Sequence, residues 1–96
     1  MLSKIKLHGK LAKFIGHKEF DVKVNSVAQA VSFLVHNFPE VEAYMNPQYY
    51  SVQVGGDFID KEEIHYPTGS QEINFIPVIS GRGNVGKIVL GGALIA

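Results

Sequence analysis

Ninety-six residues with 46% hydrophobic content make one folded domain, large enough for a single core but not for a catalytic domain joined to a cofactor domain. A net charge of zero offers nothing that recruits nucleic acid, and the absence of cysteine excludes a disulfide framework, a thiol nucleophile and a cysteine-based zinc or iron–sulfur site. The opening MLSKIKLHGK holds no apolar run of signal-peptide length, and a reducing interior fits the composition.

The first segment, LSKIKLHG, sets Leu2, Ile5 and Leu7 against Lys4, Lys6 and His8, a period near two that predicts a half-buried strand. Gly9 and Gly16 bracket KLAKFI, read as a wide turn, and HKEFDVKV alternates again with Phe20, Val22 and Val24 on one face. Two antiparallel strands are expected here. At Asn25 the period changes. Ser26 with Gln29 three residues on is a capping-box signature, and Val27, Ala30, Val31, Leu34, Val35 and Phe38 recur at helical spacing, so an amphipathic helix is predicted that stops before Pro39.

EVEAYMNP reads as a loop with a short helical turn. QYYSVQV alternates and ends at Gly55-Gly56, a pair suited to a two-residue hairpin into the short strand DFI. DKEEIHYPTGSQ is polar and turn-rich, and EINFIPV supplies the last clear strand. Strand, strand, helix, strand, short strand, strand is an α+β order that permits a ubiquitin-like β-grasp: a mixed sheet of four to five strands packed on one helix, with the last strand parallel to the first in its middle. The domain is expected over residues 1–79. Residues 80–96 read as a glycine-rich exit and apolar tail leading into a further C-terminal region, with the natural polypeptide continuing past Ala96.

Ser80–Lys87, SGRGNVGK, carries two nucleotide-loop spellings. Gly81, Gly83 and Gly86 give G-x-G-x-x-G, but a dinucleotide fingerprint needs an acid about 20 residues on, and none of the ten residues after Gly86 is acidic. Gly81 to Lys87 also gives G-x-x-x-x-G-K, yet Ile88 stands where Ser or Thr must reach magnesium, and IVLGGALIA is poor helix material. A flexible glycine-rich tether remains. Gly91-Gly92 resembles the ending that carries the reactive carboxylate in ubiquitin-like proteins, but ALIA follows it, so it serves in that way only after proteolysis. The nine uncharged residues from Ile88 are too few to span a bilayer, which takes about 20, so membrane contact is expected only if the apolar tail continues.

His8, His17, His36 and His65 fall on different predicted elements with no HxH or HxxxH pair, so no metal and no cofactor is expected. Glu62 and Glu63 read as a solvated turn, no serine stands in a nucleophile elbow, and the chain is read as a non-enzyme. Tyr44, Tyr49, Tyr50 and Tyr66 with Met45 have the composition that interfaces favour, although at least one of them belongs in the core.

Several short motifs in order, L-x-G-x-L at Leu7, Gly9 and Leu11, Phe38-Pro39, Tyr50, and I-x-x-x-P-x-x-x-G at Ile73, Pro77 and Gly81, followed by the apolar Ile88–Ala96, resemble the N-terminal domain of the lambda-type phage tail assembly protein I family. That resemblance implies a ubiquitin-like domain acting by protein–protein recognition as the tail tip is built, in the host cytoplasm or the virion tail tip. The implied partners are other tail-tip proteins and a tail protein joining a JAMM-type peptidase to a cell-wall hydrolase. The alternative is a ubiquitin-like substrate cut by that peptidase within its glycine-rich tail, Gly81, Gly83, Gly86, Gly91 and Gly92. On the assembly reading the outer sheet face is the expected contact surface, with Lys4, Lys6 and Lys23 as electrostatic guides and Tyr49 or Tyr50 as anchor.

Overall fold

In the computed structural model the described residues are 2–45, 49–78 and 87–88, with the backbone alone at 49, 61, 78, 87 and 88. Alternation fixes the first strand: in β1 (Ser3–Leu7), Ile5 and Leu7 are buried while Lys4 and Lys6 stay half-exposed. It pairs antiparallel with β2 (Glu19–Val22), Ile5 opposite Phe20.

The segment between them is not a wide turn. Gly9–Ile15 forms a two-turn helix, α1, that buries Leu11 completely and packs Ala12 and Ile15 against the core. It begins at His8 without a side-chain cap, which hides its start in the sequence, and it ends where Gly16 takes a left-handed φ of 89° and its N–H donates to Ala12 O at 2.8 Å.

The main helix, α2 (Val27–Asn37), follows its sequence signals closely. Ser26 Oγ accepts from Gln29 N at 3.1 Å, while Gln29 Oε1 accepts from Asn25 N at 2.7 Å, one residue outside the usual reciprocal partner. Val27, Ala30, Val31 and Leu34 are buried, and the helix ends at Phe38, before Pro39. A short α3 (Glu40–Met45) then buries Val41 and Met45. Three helices thus stand among the described residues, α1 where a wide turn was expected and α3 where a short helical turn was, and buried side chains, Leu11 of α1 and Val41 and Met45 of α3, hold both against the core.

β3 (Tyr49–Val54) and β4 (Asp57–Phe58) form the expected two-residue hairpin, with Gly55 at φ 60° and Gly56 at φ 105°. Lys61–Glu63 makes a single 3-10 turn. The loop that follows is tied to the start of α2 by Ala28 N→Ile64 O at 2.9 Å, Thr68 N→Asn25 O at 2.9 Å and Gly69 N→Asn25 Oδ1 at 3.2 Å.

β5 (Ile73–Val78) enters the middle of the sheet, parallel to β1 and antiparallel to β3, giving the order β2-β1-β5-β3-β4. This is the mixed β-grasp arrangement. A final pair, β6 (Lys87–Ile88), lies antiparallel on the free side of β3, with Ser51 opposite Lys87 and Tyr50 opposite Ile88. The core lies between the sheet and the helices: Ile5, Leu7, Tyr50, Val52, Ile73 and Phe75 from the strands meet Leu11, Val31, Leu34, Val41 and Met45.

Candidate functional site

The sheet face turned away from α2 collects the polar positions of the central strands. Lys4 and Lys6 stand on β1, Glu19 and Asp21 on β2, Asn74 on β5 and Gln53 on β3, each one residue out of phase with its strand's core positions. Lys4 Nζ lies 3.2 Å from Glu19 Oε2 and 3.7 Å from Asp21 Oδ1, and Lys6 Nζ lies 3.6 Å from Glu72 Oε1. Asn74 Nδ2 donates to Glu72 Oε2 at 3.0 Å, so its Oδ1 is the acceptor for His8 Nε2 at 2.8 Å. This assigns the proton of His8 to Nε2 and links Lys6 of β1, Glu72, Asn74 of β5 and the start of α1 in one polar chain, beside the separate group of Lys4, Glu19 and Asp21 that joins β1 to β2.

The electrostatics follow from these contacts. The hydrogen bond from Lys4 to Glu19, then the nearby Asp21 charge, raise the Lys4 pKa above its ordinary value. The Asn74 amide, and then Lys6, lower that of Glu72. All these side chains are roughly half-exposed, where ion pairs are screened and weak. Their consequence is a change of surface character: Lys4 and Lys6 sit among carboxylates of the same face, which presents mixed donors and acceptors rather than a positive steering patch.

The other expected contact residues separate. Lys23 lies beyond the end of β2, in a groove it lines with Leu2, Val22, Phe33 and His36 between that strand and α2. Tyr50 is fully buried and is the tyrosine that belongs to the core, so it offers no surface to a partner. Its parity with Val52 and Val54 on β3 carried that signal, because those two are also core positions. Tyr49 has the opposite parity, and its backbone pairs with Val78. Gly81, Gly83, Gly86, Gly91 and Gly92 lie outside the described residues. Within the tail only Lys87 and Ile88 are described, on the edge of β3.

Among the described residues no group of three His, Asp or Glu side chains converges on one point that could hold a metal, and no helix is long and apolar enough to cross a membrane. What the geometry offers is a rigid sheet whose central strand, β5, is hydrogen-bonded on both sides and runs directly into the glycine-rich segment.

No protein-family model matches the chain, and neither does any curated protein. Solved structures do. Small archaeal modifier protein 1 from Haloferax volcanii superposes with a TM-score of 0.65 at 22% identity, covering 85% of this chain and 100% of that one. The protein of the same name from Methanosarcina acetivorans gives 0.68 at 17%, covering 85% and 99%. A chain of the complex of subunits 1 and 2 of molybdopterin-converting factor from Helicobacter pylori gives 0.57 at 14%, covering 85% and 100%.

At these identities the likeness establishes the fold, a ubiquitin-like β-grasp. It overturns the resemblance to phage tail assembly proteins, and with it the tail-tip and cell-wall hydrolase partners, because the neighbours are modifier proteins and a molybdopterin-converting factor subunit. The motifs that suggested a phage family have a physical explanation in the fold itself. Gly9 turns β1 into α1, Phe38-Pro39 ends α2, and Leu7, Leu11, Tyr50 and Ile73 are core residues. A β-grasp chain needs such residues at such places whatever it does.

Proposed function

We propose that the chain is a ubiquitin-like modifier, a folded tag rather than a catalyst, whose working group is the carboxylate of Gly92 released by cleavage of the Gly92–Ala93 bond. Water adds across that peptide bond, leaving the carboxylate on Gly92 and the amine on Ala93. The observation that carries this reading is the placement of β5 in the centre of the sheet, leading straight into a tail that contains Gly91-Gly92. A strand paired on both sides fixes where the chain leaves the body, so an enzyme that docks on the body meets the root of the tail at a fixed point.

The likeness over almost the full length of two small archaeal modifier proteins supports the same reading. Two glycines suit such a tail because the absence of Cβ lets an extended backbone pass through a narrow cleft. The partners on this reading are a peptidase that trims the tail and an enzyme that activates the new carboxylate. The mixed outer face of Lys4, Glu19, Asp21 and Glu72 gives hydrogen-bonding complementarity for their recognition.

The test is the intact mass of the tagged chain recovered from its own cells. A species shortened by the residues that follow Gly92, replaced by the untrimmed chain when Gly92 is changed to Pro, is the expected result. Recovery of only the untrimmed chain refutes the proposal.

A further inference from the structure

β2 closes one side of the sheet, and among the described residues β1 is the strand beside it. Leu7 N donates to Lys18 O at 2.8 Å on one side of β1 and His8 N to Phe75 O at 3.2 Å on the other, so odd residues of β1 bond to β2 and even ones to β5. With Ser3 opposite Val22 and Ile5 opposite Phe20, the main-chain groups of Phe20 and Val22 turn inward to β1, and those of Glu19 and Asp21 turn outward. Lys23 continues the alternation, exposed between the half-buried Val22 and Val24.

Proteins commonly blunt such an edge with a proline or a bulge. β2 has neither: no proline occurs from Lys18 to Val24, and its four pairs with β1 run in unbroken register. At the other end of the sheet β4 is only two residues long, and β6 lies along part of β3.

The β2 edge is also complementary to itself. Two copies laid antiparallel about a two-fold axis at Asp21 set Lys23 of each copy opposite Glu19 of the other, and Phe20 of each opposite Val22 of the other. Opposite charges, and an aromatic facing a β-branched residue, are favourable cross-strand pairs. The two Asp21 carboxylates meet at the axis, where Lys4 Nζ, 3.7 Å from Asp21 Oδ1 in each copy, offsets their repulsion. On the helix side Val22 lines a groove of about 630 Å³ with Val24, Phe33 and the 61% exposed Leu2, so the pairing covers apolar surface there. A net charge of zero leaves no long-range repulsion between copies.

We propose that the partner of this edge is a second copy of the chain, joined through β2 into one continuous sheet. Hydrogen bonds run between Glu19 and Lys23 of opposite copies and between the two Asp21 residues. β1 separates this edge from β5, so the dimer forms whether or not the tail is trimmed.

Sedimentation equilibrium of the full chain reads the association, and amide hydrogen exchange followed by NMR locates it. A reversible dimer is expected, weaker than about 1 μM because two short strands bury less than a standard interface, with exchange at Asp21 and Lys23 slowing as concentration rises. Lys23→Glu and Glu19→Lys, both at exposed positions, should each weaken it about tenfold, since each turns two attractive pairs repulsive. The two changes together should restore it to within about threefold. A monomer up to about 1 mM, a dimer indifferent to both single changes, or a double variant no tighter than the singles would each overturn the proposal. So would Asp21 and Lys23 amides already protected in a monomer, which would mean that another segment of the chain covers the edge.

Discussion

Replacing Tyr50 by phenylalanine should make the protein more stable. The side chain is fully buried on β3, yet its hydroxyl has no hydrogen-bond partner among the described residues, so the folded state carries a desolvated polar group that water satisfies in the unfolded chain. Leaving such a group unsatisfied costs about 1–3 kcal/mol. Deleting the oxygen forfeits only a few dispersion contacts at about 0.1–0.2 kcal/mol each and opens a void smaller than a methyl group. The net gain is about 1 kcal/mol, a rise of roughly 4–8 °C in Tm for a domain of this size. Urea unfolding followed by circular dichroism reads it directly, with the midpoint moving up at constant slope.

The same residue gives a pH signature. Burial, and then the nearby Tyr44, raise the Tyr50 pKa well above its ordinary value. An unfolded tyrosine loses its proton near pH 10, while the native one keeps it. The unfolded state therefore binds fewer protons above about pH 10, and stability falls there as pH rises. The wild-type chain should lose stability in that window faster than Tyr50→Phe. A variant that is less stable by about 1 kcal/mol or more would show that the hydroxyl has a partner after all, and identical pH profiles would show that it is not desolvated.

Other positions test the packing and the caps. Leu34→Ala empties a fully buried site on α2 and should cost about 2–5 kcal/mol in chemical denaturation. Ser26→Ala removes the cap on Gln29 N and should cost about 1 kcal/mol, with helical circular dichroism retained in the folded state. Gly55→Ala places a methyl group 2.8 Å from the end of the flexible, exposed Gln71 side chain, which can swing away, so it should cost about the 1–2 kcal/mol of left-handed strain at a φ of 60°. Gly16→Ala, at φ 89° with nothing within 4 Å, should likewise show backbone strain alone, read as a lower Tm in thermal unfolding.

The sequence made α2 legible because period, cap and terminating proline agree on it, and it made the hairpin legible because Gly55-Gly56 admits few other turns. It hid α1, whose seven residues have no capping side chain and are held by Leu11 against a sheet formed from distant segments. The parallel pairing of β5 with β1 is likewise a tertiary fact, since Ile5 and Ile73 are brought together by the whole fold. Lys4 and Lys6 looked like free charges because Glu72, which meets Lys6, lies far along the chain. The family-level motifs misled because the residues that carried them encode the fold: Gly9, Phe38-Pro39, Tyr50 and Ile73 serve a turn, a helix end and the core.

The central claim is that Gly92 becomes joined to other proteins or to a carrier through its carboxylate, and the most direct measurement is a search for that bond. Proteins recovered with the tagged chain from its own cells would be digested with trypsin, which cuts after Lys87 and leaves Ile88–Gly92 on any lysine that has been modified. The account predicts lysines bearing this five-residue remnant, lost when Gly92 is changed to Pro. Its absence, with every recovered chain still continuing into Ala93, would contradict the account.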